Sequence, residues 1–252
     1  MNRKKILYGI SFLFILTALI LGGFVYAQRD LSNTAVVTYT DGFVDVKFMG
    51  TGSWTPLIEG TEVKEGDEIE TGTEGEVELR LSDRSVLKIG PDSRVVIKEM
   101  GMVEITEIRT STFGLIRGKI RAVVTPFMKK ESKFTIETEN ATVGVRGTDF
   151  GTTFDPDTGQ TNVISISDCV SVVATNFPAL DPIEVCTSEE LMVYSDAEPG
   201  DVFGVDKEKL EKFLDEMEIK GEEVISPIDV EPPYISRAFV NNRIDLRMSM
   251  KG

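Results

Sequence analysis

From Ala35 to Tyr194 apolar and polar residues alternate in short runs broken by Gly, Asp, Pro and Asn: FVDVKF, EVELRL, VLKI, RVVI, FTIET, VISIS, VSVV, IEV and LMVY. A period of two over such short runs marks strands with one face in a core, and no stretch of helical period separates them. The pattern predicts an all-β fold of short strands over residues 35–195, a compact roll, a solenoid-like stack or a sandwich. In EVELRL it sets Val77, Leu79 and Leu81 toward the core and Glu76, Glu78 and Arg80 toward solvent. Asp41-Gly42-Phe43-Val44-Asp45-Val46 and Asp168-Cys169-Val170-Ser171-Val172 each read as a turn feeding a strand. This weak repeat favours a roll of similar hairpins.

The flanks differ from this pattern. Within residues 1–27, Ile6 to Val25 form 20 consecutive uncharged residues, enough as a helix to span the ~30 Å hydrocarbon core at ~1.5 Å per residue. Arg3, Lys4 and Lys5 precede them, so the positive-inside rule leaves the N-terminus in the cytoplasm and exports everything after Tyr26. The length favours a transmembrane helix anchoring the chain to the outer face of the cytoplasmic membrane. The alternative is a signal peptide cleaved after Ala27, with the protein secreted. Residues 196–226 hold a helical segment, in which Asp206 caps a helix from Lys207 to Ile219. Its apolar face, Leu210, Phe213, Leu214 and Met217, is expected to lie on the β domain. Pro227, Pro232 and Pro233 mark residues 227–252 as linker and tail.

Composition narrows the chemistry. After Ala27 there are 24 basic and 42 acidic residues, a net charge of −18, which excludes the concentrated basic surface that a nucleic acid requires. The chain has no histidine and two cysteines, so histidine-based catalysis, zinc centres and iron–sulfur centres are excluded and no cofactor is expected. Paired carboxylates remain open to a hydrolase, but no acidic pair stands out from the solvated faces, and the protein is not expected to be an enzyme. Asp155, Asp157 and Gly159 in FDPDTGQ mimic the first half of a calcium loop. Without its later carboxylate a polar hairpin turn is the better reading.

A series of motifs then carries a resemblance. Trp54, Leu57, Gly60, Val63, Gly66-Asp67, Ile69 and Thr71-Gly72 are followed by VELRLSDRSVLKI and Pro91-Asp92-Ser93. Gly114-Leu115-Ile116-Arg117-Gly118-Lys119-Ile120, FTIET and Val145-Arg146-Gly147-Thr148-Asp149-Phe150 complete the series. Over roughly Val36 to Tyr194 this resembles the FecR domain family, named for the extracytoplasmic sensor of ferric citrate signalling. The resemblance implies an all-β extracytoplasmic domain that acts by binding. Full-length sensors of the family also carry a cytoplasmic domain that contacts a sigma factor; five residues precede Ile6 here, so direct sigma-factor regulation is not expected. The family's Asp-Gly-Ser turn is Asp83-Arg84-Ser85, and Glu139 stands where a proline commonly follows threonine.

The candidate functional residues follow from these readings. Val145, Arg146, Gly147 and Thr148 form the structural or binding motif; Arg146 is expected inside the roll, its guanidinium paired with carbonyls or a carboxylate, contact with a ligand being the alternative. Arg117, Lys119 and Arg121 alternate along one strand and are expected to form a basic stripe paired with acidic residues such as Glu76 and Glu78, or else open to an anionic partner. Cys169 and Cys186 are expected to form a disulfide in an oxidising compartment, two buried thiols being the alternative. Asn140-Ala141-Thr142 is a glycosylation sequon. Together these describe a membrane-tethered binding or scaffolding module of the cell envelope with an envelope protein as partner. A structural surface-assembly protein without a small ligand is the alternative.

Overall fold

Seventeen strands and one helix make up the residues that the computed structural model describes, 33–103 and 108–221. The apolar run from Ile6 to Val25 and the tail lie outside them. Among the described residues no helix is long and apolar enough to cross a membrane. The strands up to the long central one are β1 (Thr34–Asp41), β2 (Val44–Lys47), β3 (Thr55–Pro56), β4 (Glu62–Lys64), β5 (Glu68–Thr71), β6 (Glu76–Leu81), β7 (Val86–Ile89) and β8 (Arg94–Val103). After it, β9 (Ile108–Val123), come β10 (Lys133–Glu137), β11 (Ala141–Val145), β12 (Asp149–Asp155) and β13 (Gln160–Ser165). The chain continues through β14 (Val170–Ala174), β15 (Ile183–Val185), β16 (Glu189–Tyr194), β17 (Phe203–Gly204) and the helix α1 (Lys207–Glu216).

The ladders form two layers that share β9. In the first sheet the order is β4, β1, β6, β7, β9, β12, β13, β16, β17. The second runs β3, β2, β5, β8, β9, β10, β11, β14, β15, with β9 and β10 parallel and the other pairs antiparallel. Up to Arg117, β9 pairs in the second sheet; from Gly118 onward it pairs in the first. The bend sits at Gly118, whose φ of +92° suits glycine. The Ser93 hydroxyl of the Pro91-Asp92-Ser93 turn seats it, accepting the Lys119 N–H at 2.9 Å.

One apolar cluster fills the space between the layers, drawing Val37, Leu79 and Phe150 from the first sheet and Ile69, Val95, Phe113 and Phe134 from the second. Phe134 touches the other two phenylalanines, with centroids 5.5 Å from Phe113 and 6.3 Å, edge to face, from Phe150. The two halves of the weak repeat both enter this second sheet, as β2 and β14. Each has a positive-φ residue two positions before its strand, Gly42 at 64° and Asp168 at 57°.

Four sequence expectations acquire detail here. The carboxylate of Asp206 caps α1 by accepting the Glu208 and Lys209 N–H groups. The helix ends at Glu216, short of the predicted Ile219, and Phe213 and Met217 pack with Ile164 on the outside of the first sheet. Glycines make room for them: a Cβ on Gly151 would lie 2.2 Å from the Phe213 ring, and one on Gly90 2.6 Å from Met217 Sδ. Arg84 adopts the positive φ, 71°, that glycine supplies in the family's turn, while Asp83 accepts the Ser85 N–H at 2.8 Å. FDPDTGQ is the β12–β13 hairpin, with Asp155 accepting the Asp157 N–H. Asn140 of the sequon is fully buried, its amide donating to the carbonyls of Gly159 and Val193.

The expected solvent face of β6 is a correction. Glu78 is fully buried and Glu76 nearly so. Lys88, itself without exposed surface, lies 2.6 Å from Glu76 and 3.2 Å from Glu78. From the chain beyond α1, the Lys220 and Gly221 N–H groups each donate to the Glu78 carboxylate at 2.7 Å, and Lys220 Nζ reaches Glu76 at 2.5 Å. A strap from the C-terminal side therefore covers what alternation alone leaves open.

Candidate functional site

The outward face of the second sheet at β10, β11, β14 and β15 forms the floor of a groove of about 500 Å³. The connection from β9 to β10 supplies its rim. Lys130, Lys133 and Arg146 line it as cations, Thr135 and Ser171 supply hydroxyls, and Glu184 is its acid. Such an arrangement offers N–H and O–H donors to an extended, anionic or carbonyl-rich segment.

Arg146 corrects the sequence reading. It is exposed rather than inside the roll, because Val145 takes the inward position of β11 and the next side chain must point out. Its Nη2 donates to the Lys130 carbonyl at 2.5 Å, and its own carbonyl accepts the Phe127 N–H at 2.9 Å. Gly147, at φ +143°, lets Pro126 lie against the backbone; a Cβ there would be 2.4 Å from Pro126 Cα. Thr148 is buried. The Val-Arg-Gly-Thr motif thus locks the rim loop to the sheet and presents one guanidinium at the groove.

Cys169 and Cys186 are joined, with an S–S distance of 2.02 Å. They stand just before β14 and just after β15, so the bridge closes a hairpin that forms part of the groove floor. Cross-linking across 17 residues removes loop entropy from the unfolded chain, and replacing both cysteines with serine is expected to lower stability by about 3 kcal/mol in urea titration. A loss below ~1 kcal/mol would contradict that account.

Arg117, Lys119 and Arg121 do not pair with Glu76 or Glu78, although Arg121 shares their face of the first sheet with Lys88 between it and Glu78. The bend at Gly118 sets Arg117 apart from the other two, and each has another partner: Arg117 meets Glu70 at 2.5 Å, Lys119 meets Glu216 of α1 at 2.6 Å, and Arg121 grips Asp149 through Nε and Nη2 at 3.0 and 2.7 Å. Arg121 also donates to the Met217 carbonyl at 3.2 Å. Lys119 and Arg121 therefore fasten the helix rather than offer charge to a ligand. Glu216 is held below the usual carboxylate range chiefly by the Lys119 hydrogen bond.

The lysines of the rim were not singled out from sequence. Their signal is PFMKKESK, the one place in the acidic domain where lysines cluster beside exposed apolar residues. The Glu76, Glu78, Lys88 and Lys220 cluster was also missed, because Lys220, the residue that closes it, lies far from the other three in the chain. Tyr39 completes it, 3.2 Å from Glu76, its hydroxyl pKa raised by burial and then by that carboxylate.

Residues 67–169 match the family model described as FecR protein. No curated protein matches the chain. Two crystal structures of a candidate anti-sigma factor from Parabacteroides distasonis ATCC 8503, at 1.65 and 2.50 Å, are similar to it at 17% identity, with TM-scores of 0.47 and 0.46. The similarity covers 58% of this chain in both cases and 64% and 63% of the other. The chain thus spans less than two thirds of the length of the structures it matches.

Proposed function

For a chain that carries a FecR domain over residues 67–169, we propose a role as a tethered binding or scaffolding module outside the cytoplasmic membrane, serving envelope sensing or signalling. It acts through binding rather than catalysis, and its partner is another envelope protein. The uncharged run from Ile6 to Val25 behind Arg3, Lys4 and Lys5 supports the tether. Support for binding comes from one observation above the rest: the most specific motif of the family presents Arg146 on the groove rim instead of spending it on the core. A fork of N–H donors at the mouth of a donor-lined groove suits an acidic or extended segment.

The test is photo-cross-linking in intact cells from Thr135 on the groove floor, with Ser53 as an exposed control away from it. A discrete adduct from Thr135 alone is expected, and Arg146→Ala should abolish it while lowering stability by no more than about 1.5 kcal/mol, the loss of its one hydrogen bond to the Lys130 carbonyl. Adducts of equal pattern from both positions would count against the groove. So would a variant that unfolds.

A further inference from the structure

Over much of the surface cations are matched with carboxylates: Lys47 and Arg94 with Glu68, Lys98 with Glu137, Arg117 with Glu70, Lys119 with Glu216 and Lys209 with Glu190. One end departs from this. Among the described residues Lys129, Lys130, Lys133 and Arg146 are all exposed and none has a carboxylate within ion-pair distance. Met128 stands in the same loop with 75% of its surface exposed.

Register places this loop where the chain enters the domain. Lys133 pairs opposite Thr110 at the start of β9, and the Arg109 N–H donates to Ser132 Oγ at 3.1 Å. On the neighbouring strand the Met102 N–H donates to Asn33 Oδ1 at 3.2 Å, so Asn33 and the loop share one end of the domain. The turn that carries exposed Arg84 joins them, Ser85 Oγ accepting the Thr125 N–H at 3.0 Å. On the tethered reading given above, Gln28 to Asn33 hold this end within ~20 Å of the bilayer, the reach of six extended residues.

We propose that the loop from Pro126 to Lys133 rests on the anionic phospholipid headgroups of the membrane in which the chain is anchored. Met128 enters the interface, and Lys129, Lys130 and Lys133 meet phosphate, the combination that holds amphipathic segments to membrane surfaces. This rests on the anchor reading of Ile6 to Val25. The domain's net negative charge does not forbid it, since charges more than ~8 Å away are largely screened at physiological salt. Glu131, exposed in the same loop, is repelled by such a surface and offsets part of what the lysines contribute.

The test uses the full chain in vesicles of phosphatidylcholine with or without phosphatidylglycerol. In a Trp54→Phe background, Met128→Trp reports contact through quenching by brominated lipid chains. Strong quenching is expected with phosphatidylglycerol and little without it. Each lysine at an anionic surface shifts the docked-to-free ratio roughly fivefold, so Lys129→Glu with Lys130→Glu should lower it at least about 25-fold. Co-flotation with pure phosphatidylcholine vesicles reports the anchor separately. A Met128→Trp chain that floats but whose fluorescence ignores phosphatidylglycerol overturns the docking alone and leaves the basic loop to a protein partner. A chain that fails to float overturns the anchor reading and this proposal with it.

Discussion

Lys88→Ala is expected to destabilise the domain by on the order of 3–5 kcal/mol, since it strands two buried carboxylates without their common cation. Lys88 has no exposed surface, lies within 3.2 Å of both Glu76 and Glu78, and stacks 5.1 Å from the Tyr39 ring centroid. Water cannot replace it there. Lys220 compensates only in part, for it is about 40% exposed and reaches Glu76 alone as an ion pair. Combining Lys88→Met with Glu76→Gln and Glu78→Gln should recover much of the loss, because a buried ion pair replaced by well-packed neutral groups is often near neutral in energy. Urea titration of the wild type, the single variant and the triple variant decides it, and a single-mutant loss under ~1 kcal/mol would show that the cluster is not dry.

The same cluster fixes an acid sensitivity. Burial raises the Glu76 pKa, but the hydrogen bonds from Lys220 and Lys88 together outweigh it, so the carboxyl titrates below its usual range. Its contribution is therefore complete above the ordinary carboxylate range and is lost as the pH falls through the depressed value. Lys220, whose pKa is raised mainly by its Glu76 hydrogen bond, stays charged throughout. Acidification should thus loosen the strap from the Glu76 side, measured as a fall in the amide protection factors of Lys220 and Gly221, each rate taken relative to intrinsic exchange at the same pH, before global unfolding.

Gly118→Ala is the second large effect, expected at about 2–5 kcal/mol from left-handed backbone strain and overpacking together. A Cβ at Gly118 would stand 2.2 Å from Ser93 Oγ and 2.5 Å from Ser93 Cα, the latter a backbone atom that cannot rotate away. Gly144→Ala is the control, because its nearest neighbour, the Ser171 carbonyl oxygen, is 3.9 Å from the new Cβ. Equal melting temperatures for the two variants would mean that β9 does not need its bend. A larger fall for Gly118→Ala ties the bend to the joining of the sheets.

These residues also mark what the sequence could and could not disclose. Alternation exposed the all-β class because its cause, a strand with one face in a core, is local. The capped helix was legible for the same reason, and the disulfide was read from an expected oxidising compartment and a count of two cysteines. What failed depends on distant chain. Alternation cannot tell that Glu76 and Glu78 are covered by residues more than 140 positions later. Arg117, Lys119 and Arg121 looked like one stripe because a strand was assumed to be straight, whereas Gly118 turns it from one sheet to the other. Arg146 was misplaced by treating an arginine beside Val145 as enclosed; the period of two after Val145 already pointed it outward. The groove had no signature of its own, being shaped by where the rim loop crosses the sheet.

The position of the strap has a mechanical consequence. Gly221 is bonded to Glu78 on β6 and lies against Thr38 of β1, the strand through which the chain enters. Tension applied between the N-terminus and the segment beyond Gly221 would load the Glu78 contacts and the β1–β6 ladder in series, and reach Asn33 without crossing the apolar core or the second sheet. Should the tail be held by one structure and the N-terminus by another, the groove would remain unstrained while the load passed beside it, and the first element to yield would be the carboxylate clasp at Glu78 rather than the fold.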